Sequence, residues 1–468
     1  MNNAAHKVER AMVGKGIERV IAYAREPEDR ERNLLQLVDI AERIAGSHFQ
    51  KQSYEAARDL IKEQGKWMGY VNRILDEVNP NVLRMTGLNL GFEAAYTGSK
   101  IIRKKRMEHQ CNVPWVMLVD PTSACNLHCT GCWASEYGHQ LNLSFEELDD
   151  IICQGKELGV FFYMYTGGEP LMRKADIIRL CEKHNECAFH AFTNGTLVDE
   201  AFCQEMVRVG NLTLSLSIEG SEADNDSRRG QGVYQRVLAA MTLLKAHGLI
   251  FGTSICYTRQ NIDTVTSDEF LDMLIDHGCR YSWYFHYMPV GNNASLALVP
   301  TAEQREYMVH RVREIRAREG GKPIFVMDFQ NDGEYVGGCI AGGRNYLHIN
   351  AGGDVEPCVF IHYSSANIRQ VSLLEALKQP LFMAYRDGQP FNENHLRPCP
   401  LLENPQLLEQ MVNACGAHST DLQSPEGVEQ LCGKCRDYAA QWQERADRLW
   451  AQQNHFEPGF VNYKQTYE

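Results

Sequence analysis

Apolar and polar positions alternate differently along three stretches of the chain. Up to residue 112 the spacing is helical: Ile17 to Tyr23, Leu34 to Ile44 and Tyr54 to Met68 repeat apolar residues at three- and four-residue steps. Asn79-Pro80-Asn81 interrupts the pattern. A second apolar stretch follows from Val82 to Ile102, carrying Met85, Leu88, Leu90, Phe92, Ala94, Ala95, Tyr96 and Ile101. It ends in Arg103-Lys104-Lys105-Arg106, which suits the partial negative charge of a helix C-terminus. An apolar helix face of this kind packs on its own core in most proteins. The other reading is an amphipathic element that makes a peripheral membrane contact or touches a lipid tail.

From 113 to 318 short apolar runs alternate with helical patterns. The expected strands are Trp115–Val119, Phe161–Thr166, Ala188–Thr193, Leu212–Ile218, Phe251–Tyr257 and Tyr281–Tyr287. The expected helices are Ser144–Leu158, Lys174–His184, Glu200–Val209, Tyr234–His247 and Thr266–His277. Six strands alternating with helices predict an α/β fold with a parallel sheet and helices outside it. Pattern alone does not separate a barrel from an open doubly wound sheet. Residues 319–440 are rich in glycine and cysteine, with few long periodic helices, and read as a separate domain; 441–468 read as a C-terminal tail.

The length of 468 residues fits two or three domains, and 44% hydrophobic residues suffice for packed cores. A net charge of −13 argues against a broad nucleic-acid surface, so no nucleic-acid partner is expected. Met1 to Arg10 is polar, and no apolar run reaches membrane-spanning length. The expected location is cytoplasmic, where the 16 cysteines stay reduced. They should divide into ligands and buried small hydrophobes. Cys153, Cys181, Cys187, Cys203, Cys256 and Cys279 fall in or beside expected helices and strands and read as packing.

Cys125, Cys129 and Cys132 form a C-x3-C-x2-C loop directly after Val116–Val119. Three thiolates on one tight loop can hold three irons of a [4Fe-4S] cluster and leave the fourth open. A zinc site is the alternative, with His128 as a fourth ligand. Tyr165-Thr-Gly-Gly-Glu-Pro170 follows a strand-like run about 35 residues later. Together these motifs resemble the radical S-adenosylmethionine (radical SAM) superfamily. The resemblance implies a partial (β/α)6 TIM-like barrel, with an N-terminal helical segment and a C-terminal Fe-S domain added in this chain. It implies chemistry at the C-terminal ends of the strands. It also implies SAM chelated to the open iron through its amino and carboxylate groups, a flavodoxin- or ferredoxin-type electron donor, and a 5′-deoxyadenosyl radical. The cofactor supplies the difficult chemistry and the protein positions it.

Residue by residue, the resemblance places Gly167, Gly168 and Glu169 at the SAM amino group and Asn194 at a polar contact to the cofactor. Asn194-Gly195 also reads as an ordinary strand-ending turn. Ser217 and Glu219 stand where the family often has Ser-x-Asp for the ribose; here glutamate replaces aspartate. Arg229, in Asp226-Ser-Arg-Arg-Gly230, would pair with the SAM carboxylate through its planar fork. Backbone in Phe285–Gly291 would receive the adenine. The aromatic residue that often precedes the third cysteine is Gly131 here, and Trp133 follows instead.

Cys339-x13-Gly353-x4-Cys358 is similar to the opening of the SPASM/twitch pattern of auxiliary Fe-S clusters. The full C-x2-C-x5-C-x3-C run is absent, so one auxiliary [4Fe-4S] cluster is expected. Its four ligands come from Cys339, Cys358, Cys399, Cys432 and Cys435, with Cys415 a sixth cysteine in the region. A zinc knuckle around Cys432 and Cys435 is the alternative.

For the substrate, the helical leader and its apolar-then-basic stretch are similar to radical SAM enzymes that couple or modify lipid chains. The expectation leans to a lipid acyl chain. Peptide or protein modification, by oxidation or cross-linking, is the alternative, since family members with the auxiliary domain act mostly on peptides. A non-catalytic Fe-S electron carrier or sensor is the third reading. No catalytic acid or base is assigned: Tyr165, Glu136, His139, His286 and Tyr287 lie near the expected mouth by position only.

Overall fold

The computed structural model describes residues 4–46, 51–292 and 294–452. Its centre is one nine-stranded sheet. The strands are β1 (Val116–Val119), β2 (Phe162–Tyr165), β3 (Ala188–Thr193), β4 (Leu212–Ser217), β5 (Phe251–Tyr257), β6 (Tyr281–His286), β7 (Phe325–Asp328), β8 (Tyr346–Ile349) and β9 (Val355–Glu356). Their order is β7-β6-β5-β4-β3-β2-β1-β8-β9. All neighbours from β7 to β8 pair in parallel, and only β9 runs antiparallel. The six strands read from the sequence are present within a residue or two of their expected ends.

The sheet is curled. β3 and β6 are three strand spacings apart, about 14 Å in a flat sheet. Yet the Phe192 ring of β3 lies 6.1 Å from Trp283 and 5.9 Å from Phe285 of β6. Rings from separated strands meet only across a concave face, so this face is the interior of a partial barrel. The other face is covered by helices whose starts carry the capping signals of the sequence. Ser144 caps Phe145–Leu158 reciprocally with Glu147, and Thr301 caps Ala302–Arg316 with Gln304.

The N-terminal helices lie against the outside of the barrel. Lys66 donates to the Ile315 carbonyl at 3.0 Å, and the Asn79 amide donates to the Gly248 carbonyl at 2.8 Å. Asn79-Pro80 is both break and start: Asn79 caps Pro80–Thr86 and proline occupies the first turn. The apolar stretch continues as a π-helix over Gly87–Gly98 and an α-helix over Ser99–His109. Val82, Ala94 and Ile102 are buried in the same hydrophobic core as the barrel helices. A Cβ at Gly98 would collide with the Gly159 carbonyl, so the stretch packs directly on the turn after Phe145–Leu158. Its apolar face is therefore spent on the core. Among the described residues no helix is long and apolar enough to cross a membrane.

After β7 the chain returns to place β8 beside β1, which extends the parallel sheet by one strand. The C-terminal region has its own apolar core, with Leu381, Tyr385, Leu408, Cys432, Cys435 and Trp442. The helix Val428–Ala451 runs through residue 441 because Trp442, Ala446 and Leu449 remain on its buried face.

Candidate active site

The three-cysteine loop leaves the C-terminal end of β1 and is fastened by the loop after β2. Gly168 N–H donates to Thr122 O at 3.0 Å, and Glu169 N–H donates to Ala124 O at 2.8 Å. A Cβ at Gly167 would meet Thr122 O, and one at Gly168 would meet Ala124 O and Ser123 O. Gly167 also holds φ at +104°. The glycine pair is thus required for two loops to touch. Glu169 is buried, and its carboxylate accepts from Leu171 N at 2.9 Å, Thr193 Oγ1 at 2.6 Å and Asn194 N at 2.8 Å. Asn194 Nδ2 donates to Asn126 Oδ1 at 2.8 Å, which ties the end of β3 to the cysteine loop. Burial pushes the Glu169 carboxyl above the ordinary range.

Arginines approach from the opposite side, at the end of helix Glu222–Arg229. Arg228 Nη1 and Arg229 Nε donate to Glu219 Oε1 at 2.5 and 2.8 Å. Arg229 Nη1 also lies 4.0 Å from Cys129 Sγ, and Thr130 N–H donates to Arg228 O at 2.9 Å. Burial works against the Arg229 charge, but Glu219 and Cys129 outweigh it, and its pKa is raised. Glu219 is fully buried and its Oε2 has no hydrogen-bond partner. An unpaired carboxylate oxygen beside two guanidinium groups fits a ligand's hydroxyl or ammonium. Ser217 is half-buried at the end of β4, two residues before it.

The donor set fits an iron–sulfur group. Leu127 N–H donates to Cys125 Sγ at 3.4 Å, and the Arg229 guanidinium lies 4.0 Å from Cys129 Sγ, where it offsets thiolate charge. Burial pushes the Cys125 thiol up to about 11, so ligation must displace its proton. A tetrahedral zinc ion would draw its sulfurs to about 3.8 Å apart. Among the described residues, the only trio of His, Cys, Asp or Glu ligand atoms within 4.8 Å of one another is Asp149, Cys153 and His184, away on the outer helices. Lys156 and Lys183 already pair with that trio. The loop cysteines are thus spread wider than a single zinc ion requires.

Strand register identifies the barrel interior beneath this loop. His190 pairs with Met164 and Thr213, Phe192 with Ser215, Cys256 with Phe285 and Ser254 with Trp283, so these residues share the concave face. One side is small and polar, through Ser215, Ser217, Ser254 and Cys256. The other is aromatic: Trp283 and Phe285 stack at 6.1 Å, Phe285 meets Phe329 at 5.3 Å, and Phe360 lies 6.3 Å from Phe329. Phe192, Trp283, Phe285 and Phe329 are only half-buried, so the interior is a slot rather than a filled core. His190 Nε2 and Trp283 Nε1 face no hydrogen-bond partner. Burial holds the His190 pKa down to about 3, so the ring is neutral.

Cys358, Cys432 and Cys435 are buried in the C-terminal apolar core, and Cys339, Cys399 and Cys415 pack against that core. Leu401 and Leu402 N–H groups donate to Cys399 Sγ at 3.4 Å, and Tyr346 Oη donates to Cys358 Sγ at 2.6 Å. These donors again suit thiolate ligands. Cys415 is half-buried at the end of helix Pro405–Cys415.

A buried polar network of ion pairs and hydrogen bonds joins the two regions. His348 of β8 contacts Asp120 Oδ1 at 2.9 Å and Glu356 Oε2 at 2.6 Å. Glu356 also accepts from Tyr137 Oη at 2.7 Å and Asn350 Nδ2 at 2.9 Å. Burial opposes the His348 charge, yet the flanking carboxylates raise its pKa to about 10. Trp133, next to Cys132, packs on His348 at 5.9 Å and on Phe360 at 6.3 Å.

The structure thus brings Gly167, Gly168, Glu169, Asn194, Ser217, Glu219 and Arg229 to the rim around Cys125, Cys129 and Cys132. Gly131 leaves space that the Tyr287 ring occupies, since a Cβ there would lie 2.8 Å from Tyr287. Of the other mouth residues, Tyr165 faces away from the slot and stacks on Phe189 at 5.9 Å. His286 bonds Tyr438 Oη at 2.8 Å in the C-terminal core. Glu136 is buried near Gly291, and His139 is exposed. Sequence reasoning missed Arg228, whose neighbour Arg229 fitted the motif. Cys256, read as packing, does pack against the C-terminal core, on the concave face opposite Phe285.

Residues 119–274 match the model of the Radical SAM superfamily, and residues 339–400 match that of SPASM, an iron–sulfur cluster-binding domain. An AdoMet-dependent heme synthase of Oleidesulfovibrio alaskensis is 27% identical over 304 residues, covering 58% of this chain and 76% of the relative. A PqqA peptide cyclase of Streptomyces rochei is 28% identical over 314 residues, covering 61% and 82%. The fold is similar to that of Streptococcus suis SuiB bound to precursor peptide SuiA. The TM-score is 0.54 at 18% identity, covering 80% of this chain and 89% of that one.

Proposed function

We propose that this chain, a radical SAM enzyme with a SPASM iron–sulfur domain, modifies a peptide by hydrogen abstraction from a side chain held in the barrel slot. The carrying observation is the slot itself: an aromatic wall in which the buried His190 Nε2 and Trp283 Nε1 have no partner in the protein. A lipid acyl chain would fill it while leaving both nitrogens buried and unpaired, which is costly. A peptide group supplies the missing donors and acceptors along with apolar contact. The apolar stretch from Val82 to Ile102, the basis of the lipid reading, is engaged in core packing. Relatives named PqqA peptide cyclase support the peptide reading. Those named heme synthase support a second one, a flat tetrapyrrole against the same aromatic wall.

The iron–sulfur group on Cys125, Cys129 and Cys132 supplies, when bound, the electron that cleaves SAM. The chain's own part is positional. Arg228 and Arg229 offset negative charge at the loop, Glu219 Oε2 accepts from the ligand, and Tyr287 closes the space beside Gly131. The auxiliary site takes its ligands from Cys339, Cys358, Cys399, Cys432 and Cys435, and a flavodoxin- or ferredoxin-type protein is the electron donor.

The test has two arms. Reduced holoenzyme incubated with SAM should form 5′-deoxyadenosine; none at all with intact clusters would favour an electron carrier. Peptide, tetrapyrrole and lipid profiles of cells with and without the gene should then differ in a peptide. A change confined to the lipids or to the tetrapyrroles would overturn the peptide reading.

A further inference from the structure

We infer that Tyr346 and Tyr385 donate hydrogen bonds to the auxiliary iron–sulfur centre and raise its reduction potential. This rests on the reading that the C-terminal cysteines hold that centre. Tyr346 lies on β8 at 6% exposure, with its hydroxyl 2.6 Å from Cys358 Sγ. The same oxygen accepts from Val359 N–H at 3.2 Å. One lone pair is thus committed to the backbone, and the phenolic proton is left for the sulfur. The ring is held by an edge contact to Phe329 at 6.1 Å.

Tyr385 is the complementary case. It is fully buried, and its hydroxyl has no partner in the protein. Its ring is clamped: a Cβ at Gly342 would lie 2.5 Å from Tyr385 Cβ, and Phe391 meets the ring edge-on at 5.1 Å. It shares its core with Cys358, Cys432 and Cys435, and Cys339 and Cys399 pack against that core. A phenol is protonated at neutral pH, so its O–H is available as a donor. A buried hydroxyl left unpaired is costly, and a sulfur of the bound cluster would relieve that cost. Hydrogen bonds to cluster sulfurs stabilise the more negative, reduced state and so raise the potential.

The experiment isolates the centre by replacing Cys125, Cys129 and Cys132 together with alanine in the full chain, followed by anaerobic reconstitution. Iron retained in this background belongs to the auxiliary site. Tyr346→Phe and Tyr385→Phe are then introduced singly and together, with EPR-monitored redox titration. We expect unchanged iron content, a midpoint shifted negative by each substitution, and a larger shift in the double variant. Midpoints that coincide with the parent, with iron intact, would overturn the inference while leaving the cluster reading standing. An iron-free parent would remove that reading and the inference with it. Should Tyr346→Phe lose iron, the Tyr385→Phe midpoint decides. Resonance Raman in H2O and D2O gives a second readout: the parent's iron–sulfur stretches should shift on exchange, and those of the double variant should shift less.

Discussion

Replacing Arg305 by methionine should be among the most damaging single changes in the chain. Arg305, on helix Ala302–Arg316, and Glu403 are both fully buried and meet at 2.6 Å. Arg305 also donates to Asn331 Oδ1 at 2.8 Å and stacks over Trp442 at 4.3 Å. Glu403 uses its second oxygen to accept from Cys399 N–H at 2.6 Å. The pair therefore fastens a barrel helix to a candidate ligand loop. Removing one member of a buried pair costs about 3–5 kcal/mol, because the other charge stays behind. Losing the guanidinium from the Trp442 face adds about 1 kcal/mol. That total is a large part of the roughly 5–15 kcal/mol that holds a domain together. The double variant Arg305→Met/Glu403→Leu leaves no orphan charge and should cost about 2–4 kcal/mol, mainly for unpaired hydrogen-bonding groups. Urea unfolding of all four forms closes the cycle, with iron content of the reconstituted proteins as a second measure. A cost below about 1 kcal/mol for Arg305→Met, or a double variant equal to the sum of the singles, would refute the reasoning.

Gly168→Ala should push the cysteine loop away, since the added Cβ meets the Ala124 and Ser123 carbonyls. Overpacking of this kind costs about 1–3 kcal/mol, and iron per chain should fall, whereas Gly427→Ala, with open space around it, should change neither quantity. Glu219→Gln should weaken SAM binding roughly ten- to a hundredfold, the worth of a hydrogen bond to a charged group, as read by equilibrium dialysis. The His348 pKa is raised to about 10 from an ordinary 6.5, so its contribution to stability is complete below pH 6.5 and is lost as pH rises through 10. Glu356 is opposed by burial but held below the ordinary range chiefly by His348, so its contribution is present above pH 4.5 and fades on acidification. Urea midpoints against pH should fall at both ends, and His348→Asn should flatten the alkaline limb.

Most of the barrel was legible because its strands are local apolar runs of four to seven residues separated by capped amphipathic helices. Three strands of the sheet were not: β7, β8 and the two-residue β9. β7 and β8 lie in the glycine-rich region, and Tyr346–Ile349 is buried at all four positions, so it shows no alternation. The cysteine loop and Gly-Gly-Glu were readable from spacing. The purpose of the glycines was only partly so, because their tightest neighbours are carbonyls of a loop some 45 residues earlier. His190, Cys256, Trp283 and Tyr346 carried no local signal. Each gained its place from register and curl, which bring strands far apart in sequence to one concave face.

That curl also explains why the two cysteine groups are best understood together. Trp133 follows Cys132 directly, and its ring lies 6.3 Å from Phe360, two residues after Cys358. Phe360 in turn sits 6.5 Å from Phe285 and 6.3 Å from Phe329 in the wall of the slot. A group held in the slot therefore touches the same aromatic wall that spans from one candidate cluster site to the other. The polar side of that span is the chain Asp120, His348 and Glu356, buried beneath Trp133 and running from the end of β1 to β9. Any displacement of β8 moves His348, and with it the contact of Trp133 beside Cys132. Two paths, one aromatic and one of buried charged and polar contacts, thus link the two cysteine groups. The C-terminal region is accordingly tied into the wall of the slot, because β8 supplies both Tyr346, which contacts Cys358, and His348, which contacts Asp120.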